Sequence, residues 1–235
     1  TYFFTSETEY DTKLTEYFPS TQHKVIDSDR IDVPISATKI RNDLGTYWDY
    51  LPRSTQKTLT KTIAIVGTES SGKSTLCKLL ANKYDTIAVN EFAKNYIIEY
   101  LDSNENNIVK THYPMFARGQ LSAINNAKNY GNKFIIADTN ALVTGFYEQL
   151  YTGSISYAVE NCIRNEKYDL VIYLDDGIPW VADGLRHNGT DDQRLRAKTI
   201  FESLLLQYDI EYTKINGSYK ERYDAVSSLI EKLIN

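Results

Sequence analysis

Thr62-Ile-Ala-Ile-Val-Gly-Thr-Glu-Ser-Ser-Gly-Lys-Ser-Thr75 is the stretch that decides the fold of this 235-residue chain. Its apolar run, Ile63 to Val66, has the length of a buried parallel strand. Gly67 to Ser74 then read G-x-x-x-x-G-K-S, and apolar residues follow at helical spacing. Strand, glycine loop and helix together predict a P-loop, whose backbone N–H groups bind phosphate oxygens. The alternative is a glycine-rich turn that binds nothing, and the agreement of motif and context disfavours it.

The residues of this loop have separate predicted roles. Gly67 and Gly72 permit the turn and the close approach of the backbone to a ligand. Lys73 would reach the β- and γ-phosphates of ATP, and Ser74 would give its hydroxyl to Mg²⁺. ATP and Mg²⁺ are therefore the expected cofactors. The candidate nucleotide-binding residues are Gly67, Ser70, Ser71, Gly72, Lys73, Ser74 and Thr75.

Composition limits the classes of function. The chain has 26 basic and 31 acidic residues and a net charge of −5, which argues against nucleic-acid and membrane-surface binding. Cys77 and Cys162 suit neither a metal site nor a redox pair, so we expect reduced core residues. Neither a signal peptide nor an apolar run of about 20 residues is visible, and we expect a cytoplasmic protein. Homo-oligomerisation stays open, and the opening at Thr1 suggests part of a longer polypeptide.

Hydrophobic periodicity predicts strands and helices on both sides of the loop. Before it, strands at 2–5 and 24–26 flank a helix at 9–18. The polar segment 55–61 is typical of a linker, and the expected domains are 1–57 and 58–235. After the loop, helices alternate with strands at 86–90, 134–137, 169–174 and 211–215. This alternation predicts an α/β fold with a parallel sheet flanked by helices and ligands at the carboxyl ends of the strands.

Two acidic residues follow predicted strands. Asp138 directly follows the strand predicted at 134–137. Its carboxylate would bind Mg²⁺ or cap the next helix. Glu91 follows the second strand, where it would accept the proton of an attacking hydroxyl or cap a helix. Both residues are candidates for catalysis and substrate binding, and the sequence does not separate their roles.

Two arginines follow the fourth strand. Pro179-Trp-Val-Ala-Asp-Gly-Leu-Arg186 leads into a polar tract that Arg186 and Arg194 flank. This pattern predicts an arginine-bearing lid that excludes water and neutralises phosphate charge. The alternative is a surface loop with ordinary salt bridges.

A second motif, Ile35-Ser-Ala-Thr-Lys-Ile-Arg41, lies in the N-terminal unit. On pattern alone Ser36 caps a surface helix. The motif resembles the I-S-x-T-x-I-R motif of nicotinamide-mononucleotide adenylyltransferases, which implies that Ser36, Thr38 and Arg41 contact the triphosphate of ATP. None of the 3 histidines fits the H-x-G-H loop of that family, so we expect no adenylyl transfer by this chain alone. Residues 1–57 are then the C-terminal part of an incomplete, Rossmann-like nucleotidyltransferase unit, or a structural remnant of one.

The remaining motifs resemble the ribosylnicotinamide kinase domain of bacterial NadR-type proteins. They are Gly67–Thr75, Glu91–Tyr96, Ile135–Thr139, Tyr168–Ile172 and Pro179–Arg186. The resemblance implies a P-loop kinase, preceded by the partial nucleotidyltransferase unit, that converts ATP and nicotinamide riboside to ADP and nicotinamide mononucleotide. The resemblance implies that Lys73 and Ser74 bind phosphate and Mg²⁺. It implies that Asp138 binds the metal or the ribose, and that Glu91 is the base or contacts the ribose. Asp183 would help to form the riboside pocket, and Arg186 and Arg194 would form the lid.

The cationic nicotinamide ring would bind aromatic faces. Tyr113 and Trp180 are the candidates, with core packing as the alternative. The family has an aromatic residue before Glu91, where this chain has Asn90, and an arginine at the position of Lys94. Asn90 keeps two other functions open: another P-loop nucleoside kinase, or an ATP-binding regulatory or sensing module of NAD metabolism.

Overall fold

The computed structural model describes residues 1–175 and 190–234. The chain divides into two compact units, 1–51 and 52–235. This division lies six residues before the boundary predicted between residues 57 and 58. The segment expected as a linker is largely a helix, α3 (Arg53–Leu59), which begins after Pro52 and buries Gln56. Proline fits a helix start because its missing N–H is not needed there, a signal that the polar composition obscured.

The first unit contains a pair of parallel strands joined by a helix. The elements are β1 (Tyr2–Thr5), α1 (Tyr10–Tyr17) and β2 (Gln22–Val25). Tyr2 lies opposite Gln22 in the parallel register. A short helix, α2 (Ala37–Asn42), and a 3-10 turn at Trp48–Tyr50 complete the unit. This β–α–β arrangement agrees with a Rossmann-like half-unit.

The second unit is built on a five-stranded parallel sheet, as the alternating pattern predicted. Its strands are β3 (Lys61–Val66), β4 (Ile87–Val89), β5 (Phe134–Asp138), β6 (Leu170–Leu174) and β7 (Thr213–Ile215). Their order in the sheet is β4-β5-β3-β6-β7, and every neighbouring pair is parallel. Because β3 is central, the loop that follows it emerges at the middle of the carboxyl edge, where ligands of such sheets bind.

Helices cover both faces of this sheet. They are α4 (Lys73–Lys83), α5 (Phe92–Tyr100), α6 (His112–Ala127), α7 (Ala141–Thr152), α8 (Tyr157–Asn165), α9 (Asp191–Gln207) and α10 (Tyr219–Ile234). Successive strand residues point to opposite faces. Ile63 and Ile65 therefore pack with α4 and α10, whereas Ala64 and Val66 pack with α6 to α9.

The structure agrees with the expectation for the two cysteines. Cys77 and Cys162 are both buried free thiols. Within residues 1–175 and 190–234, no helix is long and apolar enough to cross a membrane.

Candidate nucleotide and acceptor site

The loop after β3 has the backbone geometry that its glycines predict. Gly67 has φ +148°, and a Cβ atom there would lie 2.6 Å from the carbonyl oxygen of Leu174. Gly72 has φ +87° and stands immediately before α4. A larger residue is excluded at Gly67 because its Cβ atom would clash with Leu174. A larger residue is disfavoured at Gly72 because the backbone there is left-handed.

Lys73 lies across this loop. Its side chain is buried, and Nζ donates hydrogen bonds to the carbonyl oxygens of Gly67 at 3.1 Å and Thr68 at 2.7 Å. Ser71 is also buried, and its hydroxyl donates to the Thr68 carbonyl at 3.0 Å. The ammonium group therefore lies against the loop whose N–H groups would hold phosphates, as expected for a P-loop lysine.

Asp138 supplies a carboxylate beside the loop. It ends β5 opposite Ile65 of β3, and only 4% of its surface is exposed. Among the described residues its Oδ1 atom has no hydrogen-bond partner. The following helix is capped instead by Asn140, whose side chain accepts a hydrogen bond from the N–H of Val143. Because a buried carboxylate oxygen without a partner is costly, this arrangement favours a cation ligand over a helix cap.

The side chains present fit a Mg²⁺ ion. The carboxylate of Asp138 and the hydroxyl of Ser74 are the hard oxygen ligands that Mg²⁺ prefers. In the part of the chain that the structure describes, no group of three or more His, Cys, Asp and Glu could hold a metal. An ion here would therefore complete its coordination with phosphate oxygens and water, as Mg²⁺ does in nucleotide sites.

Glu91 occupies the position before α5, but its side chain makes no capping hydrogen bond. Instead it lines a cavity next to the P-loop. Burial raises the pKa of Glu91 to about 7, while Lys73 and Lys94 oppose the rise and the carboxylate of Asp138 adds to it. A carboxyl group with this pKa can accept a proton near neutral pH, which suits a general base.

Gln120 connects the two acidic positions, and sequence reasoning missed it. This buried α6 side chain accepts a hydrogen bond of 2.7 Å from the N–H of Phe92. Its Nε2 atom donates to the carbonyl oxygens of Asp138 and Thr139 at 3.4 and 3.5 Å. Thr139 has φ +76°, an unfavourable backbone for a β-branched residue, and such strain is often found at functional sites.

The cavity that contains Lys73 and Glu91 has a volume of about 180 Å³. Acidic and aromatic side chains line much of it, and these are Glu69, Glu91, Glu105, Tyr113, Phe116, Tyr147 and Tyr151. The rings of Tyr147 and Tyr151 lie 6.1 Å apart and nearly parallel, at 6°. Such a lining offers aromatic faces and negative charge to one ligand.

Tyr113, a sequence-predicted residue, both lines this cavity and packs into the core. Its ring contacts Phe116 edge-on at 6.2 Å. Burial raises the pKa of Tyr113 to about 12, so the phenol is neutral at physiological pH. Tyr147, Tyr151 and Glu105 were not predicted. The spacing of four residues between the two tyrosines was the available signal, because it places both on one helix face.

The other predicted site residues are distributed as follows. Arg194 lies in the first turn of α9, half-buried, and is absent from the cavity lining. Trp180, Asp183 and Arg186 lie outside the described residues.

In the first unit, Ser36 caps α2 by accepting a hydrogen bond from the N–H of Lys39, as the pattern alone predicted. Arg41 donates to the hydroxyl of Thr38 at 3.4 Å. Thr38 and Arg41, two of the three candidate triphosphate contacts, therefore lie together within the short helix α2.

The buried lysine, the glycine loop and the acid at the end of β5 define a P-loop nucleotide-binding protein. The chain belongs to the AAA-domain family, because the family model described as "AAA domain" matches residues 62–222. It is also homologous to the "Trifunctional NAD biosynthesis/regulator protein NadR" of Salmonella typhimurium, with 31% identity over 211 residues. That match covers 89% of this chain and 52% of the relative, so the chain spans about half the length of the relative.

Two solved structures show the same fold. One is described as a crystal structure of NadR protein in complex with NR, with a TM-score of 0.73 and 24% identity. The match covers 99% of this chain and 68% of the NadR chain in that structure. The other, NadR protein in complex with NAD and AMP-PNP, has a TM-score of 0.71 and 23% identity, and 99% of this chain and 66% of that chain are covered. The predicted α/β P-loop fold and the resemblance to NadR-type proteins are confirmed.

Proposed function

We propose that this chain transfers the γ-phosphate of ATP to the 5′-hydroxyl of nicotinamide riboside, giving ADP and nicotinamide mononucleotide. The observation that carries this proposal is the shared cavity, which joins the P-loop lysine Lys73 to Glu91 and to the tyrosine pair Tyr147 and Tyr151. It thus offers a phosphate loop, a base and a surface for a planar cation in one space. The name of the NadR relative and the descriptions of the two solved NadR complexes, one with NR and one with NAD and AMP-PNP, support the same substrates.

On the nucleotide side, the loop backbone and the N-terminus of α4 hold the phosphates. Lys73 exchanges its loop carbonyls for β- and γ-phosphate oxygens, whose negative charge favours the ammonium group more strongly. Ser74 and Asp138 would hold Mg²⁺, which neutralises phosphate charge when bound.

On the acceptor side, the 5′-oxygen attacks the γ-phosphorus and its proton passes to the carboxylate of Glu91. The new bond joins that oxygen to phosphorus, and the bond from the γ-phosphorus to the bridging oxygen of the leaving ADP breaks. Glu91 can serve this step because its pKa of about 7 leaves much of it deprotonated at neutral pH.

The nicotinamide ring carries a positive charge, and the cavity offers it both aromatic faces and carboxylates. Tyr147 and Tyr151 present parallel rings, and Glu105 lies on the same lining. Asn90, in contrast, is exposed and absent from the lining. The tyrosines of α7 therefore take the stacking role that the residue before Glu91 has in the family. Trp180 and Asp183 remain proposed riboside contacts, and Arg186 and Arg194 remain proposed lid residues.

The test is ADP production from ATP and Mg²⁺ with nicotinamide riboside, uridine, cytidine or deoxyadenosine as acceptor. We expect turnover with nicotinamide riboside, with nicotinamide mononucleotide identified by mass spectrometry, and a large loss of turnover in Lys73→Ala. Turnover with another nucleoside alone would reassign the substrate. Nucleotide binding without turnover of any acceptor would favour a sensing module.

For the N-terminal unit we propose the C-terminal part of an adenylyltransferase, with Ser36, Thr38 and Arg41 as its triphosphate contacts. Its function would depend on residues such as H-x-G-H that this chain lacks. Incubation of the chain with nicotinamide mononucleotide and ATP should therefore yield no NAD, and NAD formation would contradict this assignment.

A further inference from the structure

Arg222, in the first turn of α10, is almost completely buried, with 1% of its surface exposed. Its guanidinium group donates hydrogen bonds to three carbonyl oxygens, two of which belong to residues distant in sequence. Nη1 bonds to Ser71 at 2.8 Å, Nη2 to Asp175 at 2.7 Å and Nε to Gly217 at 2.8 Å. One side chain thus connects the P-loop, the carboxyl end of β6 and the turn before α10.

We propose that Arg222 is a positioning residue for nucleotide binding, which fixes the Ser71–Gly72 peptide of the P-loop in the orientation that phosphate requires. This inference rests on the nucleotide-binding half of the proposed function and is independent of the acceptor.

The physical reason is the planarity of the peptide group. In a trans peptide the C=O and the following N–H point in opposite directions. Because Arg222 holds the Ser71 carbonyl on the side of α10, the N–H of Gly72 points to the other side of this peptide. Gly72 itself restricts this peptide little, since glycine adopts many backbone conformations, here φ +87°. A contact from outside the loop therefore has to fix its orientation just before α4 begins.

Both other acceptors of Arg222 are well fixed. Gly217 has φ +97°, and a Cβ atom there would lie 2.7 Å from a carboxylate oxygen of Glu221, so its turn is tight. The carboxylate of Asp175 forms ion pairs with Lys198 at 2.5 Å and Lys214 at 3.2 Å. The carbonyls of Gly217 and Asp175 therefore hold the guanidinium group in place, and its third hydrogen bond orients the Ser71 carbonyl of the loop.

The chemistry requires arginine at this position. The guanidinium group has five N–H donors in a plane and remains charged when buried. A buried cation is costly unless hydrogen bonds satisfy it, and three carbonyls do so here. A lysine ammonium is too compact to reach all three carbonyls, so Arg222→Lys should restore only part of the effect.

The experiment measures the dissociation constant of Mg²⁺·AMP-PNP by calorimetry, together with the thermal unfolding midpoint. The variants are Arg222→Gln, Arg222→Lys and, as control, Val226→Ala. Val226 lies on the same helix, is fully buried in the core and takes no part in the loop contact. We expect Arg222→Gln to raise the dissociation constant about tenfold or more, because hydrogen bonds to a charged group are lost and the loop peptide is released. Val226→Ala should lower the unfolding midpoint but change the dissociation constant less than twofold.

Equal changes of the dissociation constant in Arg222→Gln and Val226→Ala would overturn the proposal, since Arg222 would then only stabilise the fold. If Arg222→Gln does not fold, Arg222→Lys decides: a lowered unfolding midpoint with unchanged nucleotide affinity would equally overturn it. In steady-state assays the KM for ATP should rise while the KM for the acceptor stays within about twofold. Because AMP-PNP binding needs no acceptor, failure of the nicotinamide riboside assignment would leave this result intact.

Discussion

The side-chain oxygen of Gln120 accepts a hydrogen bond of 2.7 Å from the backbone N–H of Phe92, the residue after Glu91. The nitrogen of the same amide donates to the carbonyls of Asp138 and Thr139. A single buried side chain therefore sets the spacing between the candidate base and the candidate metal ligand. Since catalysis depends strongly on such spacing, Gln120, which also lines the cavity, should matter for the rate.

Gln120→Leu removes this link. We expect a decrease in kcat of about 10- to 100-fold, because small displacements of catalytic groups are costly. The free energy of unfolding should fall by about 1–3 kcal/mol, since buried backbone groups lose their partners. Steady-state kinetics and urea unfolding measure both, with the exposed Gln207→Leu as control. An unchanged kcat beside a reduced unfolding energy would limit Gln120 to a structural role.

Lys73→Ala tests the phosphate-binding lysine. We expect kcat to fall about 10²- to 10³-fold, the usual effect of removing one donor that stabilises transition-state charge. Lys78→Ala is the matched control, because Lys78 lies on the same helix, α4, but is exposed to solvent. It should keep full activity in the same ADP assay. Similar losses in both variants would indicate a general charge effect instead of a specific contact.

The role of Glu91 predicts a pH dependence. With a pKa of about 7, it gains a proton as the pH falls through neutrality, so kcat/KM should decrease below pH 7. Glu91→Gln should lower the rate and abolish this acidic limb. Glu166→Gln is the control, because burial also raises the pKa of Glu166 to about 7, yet Glu166 binds the N–H of Ala141 and does not line the cavity. Loss of the limb in Glu166→Gln alone would contradict the assignment to Glu91.

The same pKa predicts a change of stability with pH. Between the ordinary value of 4.5 and about 7, the folded chain binds more protons at Glu91 than the unfolded chain. The free energy of unfolding therefore decreases as the pH rises through this window. Glu91→Gln removes this contribution and should be more stable than the wild type at pH 8 by about 1–2 kcal/mol, after allowance for partial solvent exposure. Urea unfolding at pH 5 and pH 8 measures the difference, and equal pH dependence in both proteins would show that Glu91 titrates normally.

The sequence predicted the parts of this site that local patterns encode. Gly67, Gly72 and Lys73 follow from one motif, and Asp138 follows from an apolar run that ends in an acid. Gln120 and Arg222 carry no such signal, because each acts through contacts between elements far apart in the chain. On helices their periodicity resembles that of ordinary polar residues, and only the packing of α6 and α10 on the sheet shows that they are buried.

The charge of the acceptor gives a last prediction, for Glu105. Its carboxylate lies on the cavity lining with Tyr113, and it adds to the rise in the pKa of that tyrosine that burial chiefly causes. A negative charge at this place favours a cationic ring over a neutral one, so Glu105→Gln should raise the KM for nicotinamide riboside about three- to tenfold. High salt should raise the same KM in the wild type but less in Glu105→Gln, because screening weakens the attraction. The control is Glu99→Gln, which removes the same charge from an exposed position of α5. A KM that responds equally to both substitutions would mean that net charge, and not the cavity, attracts the acceptor.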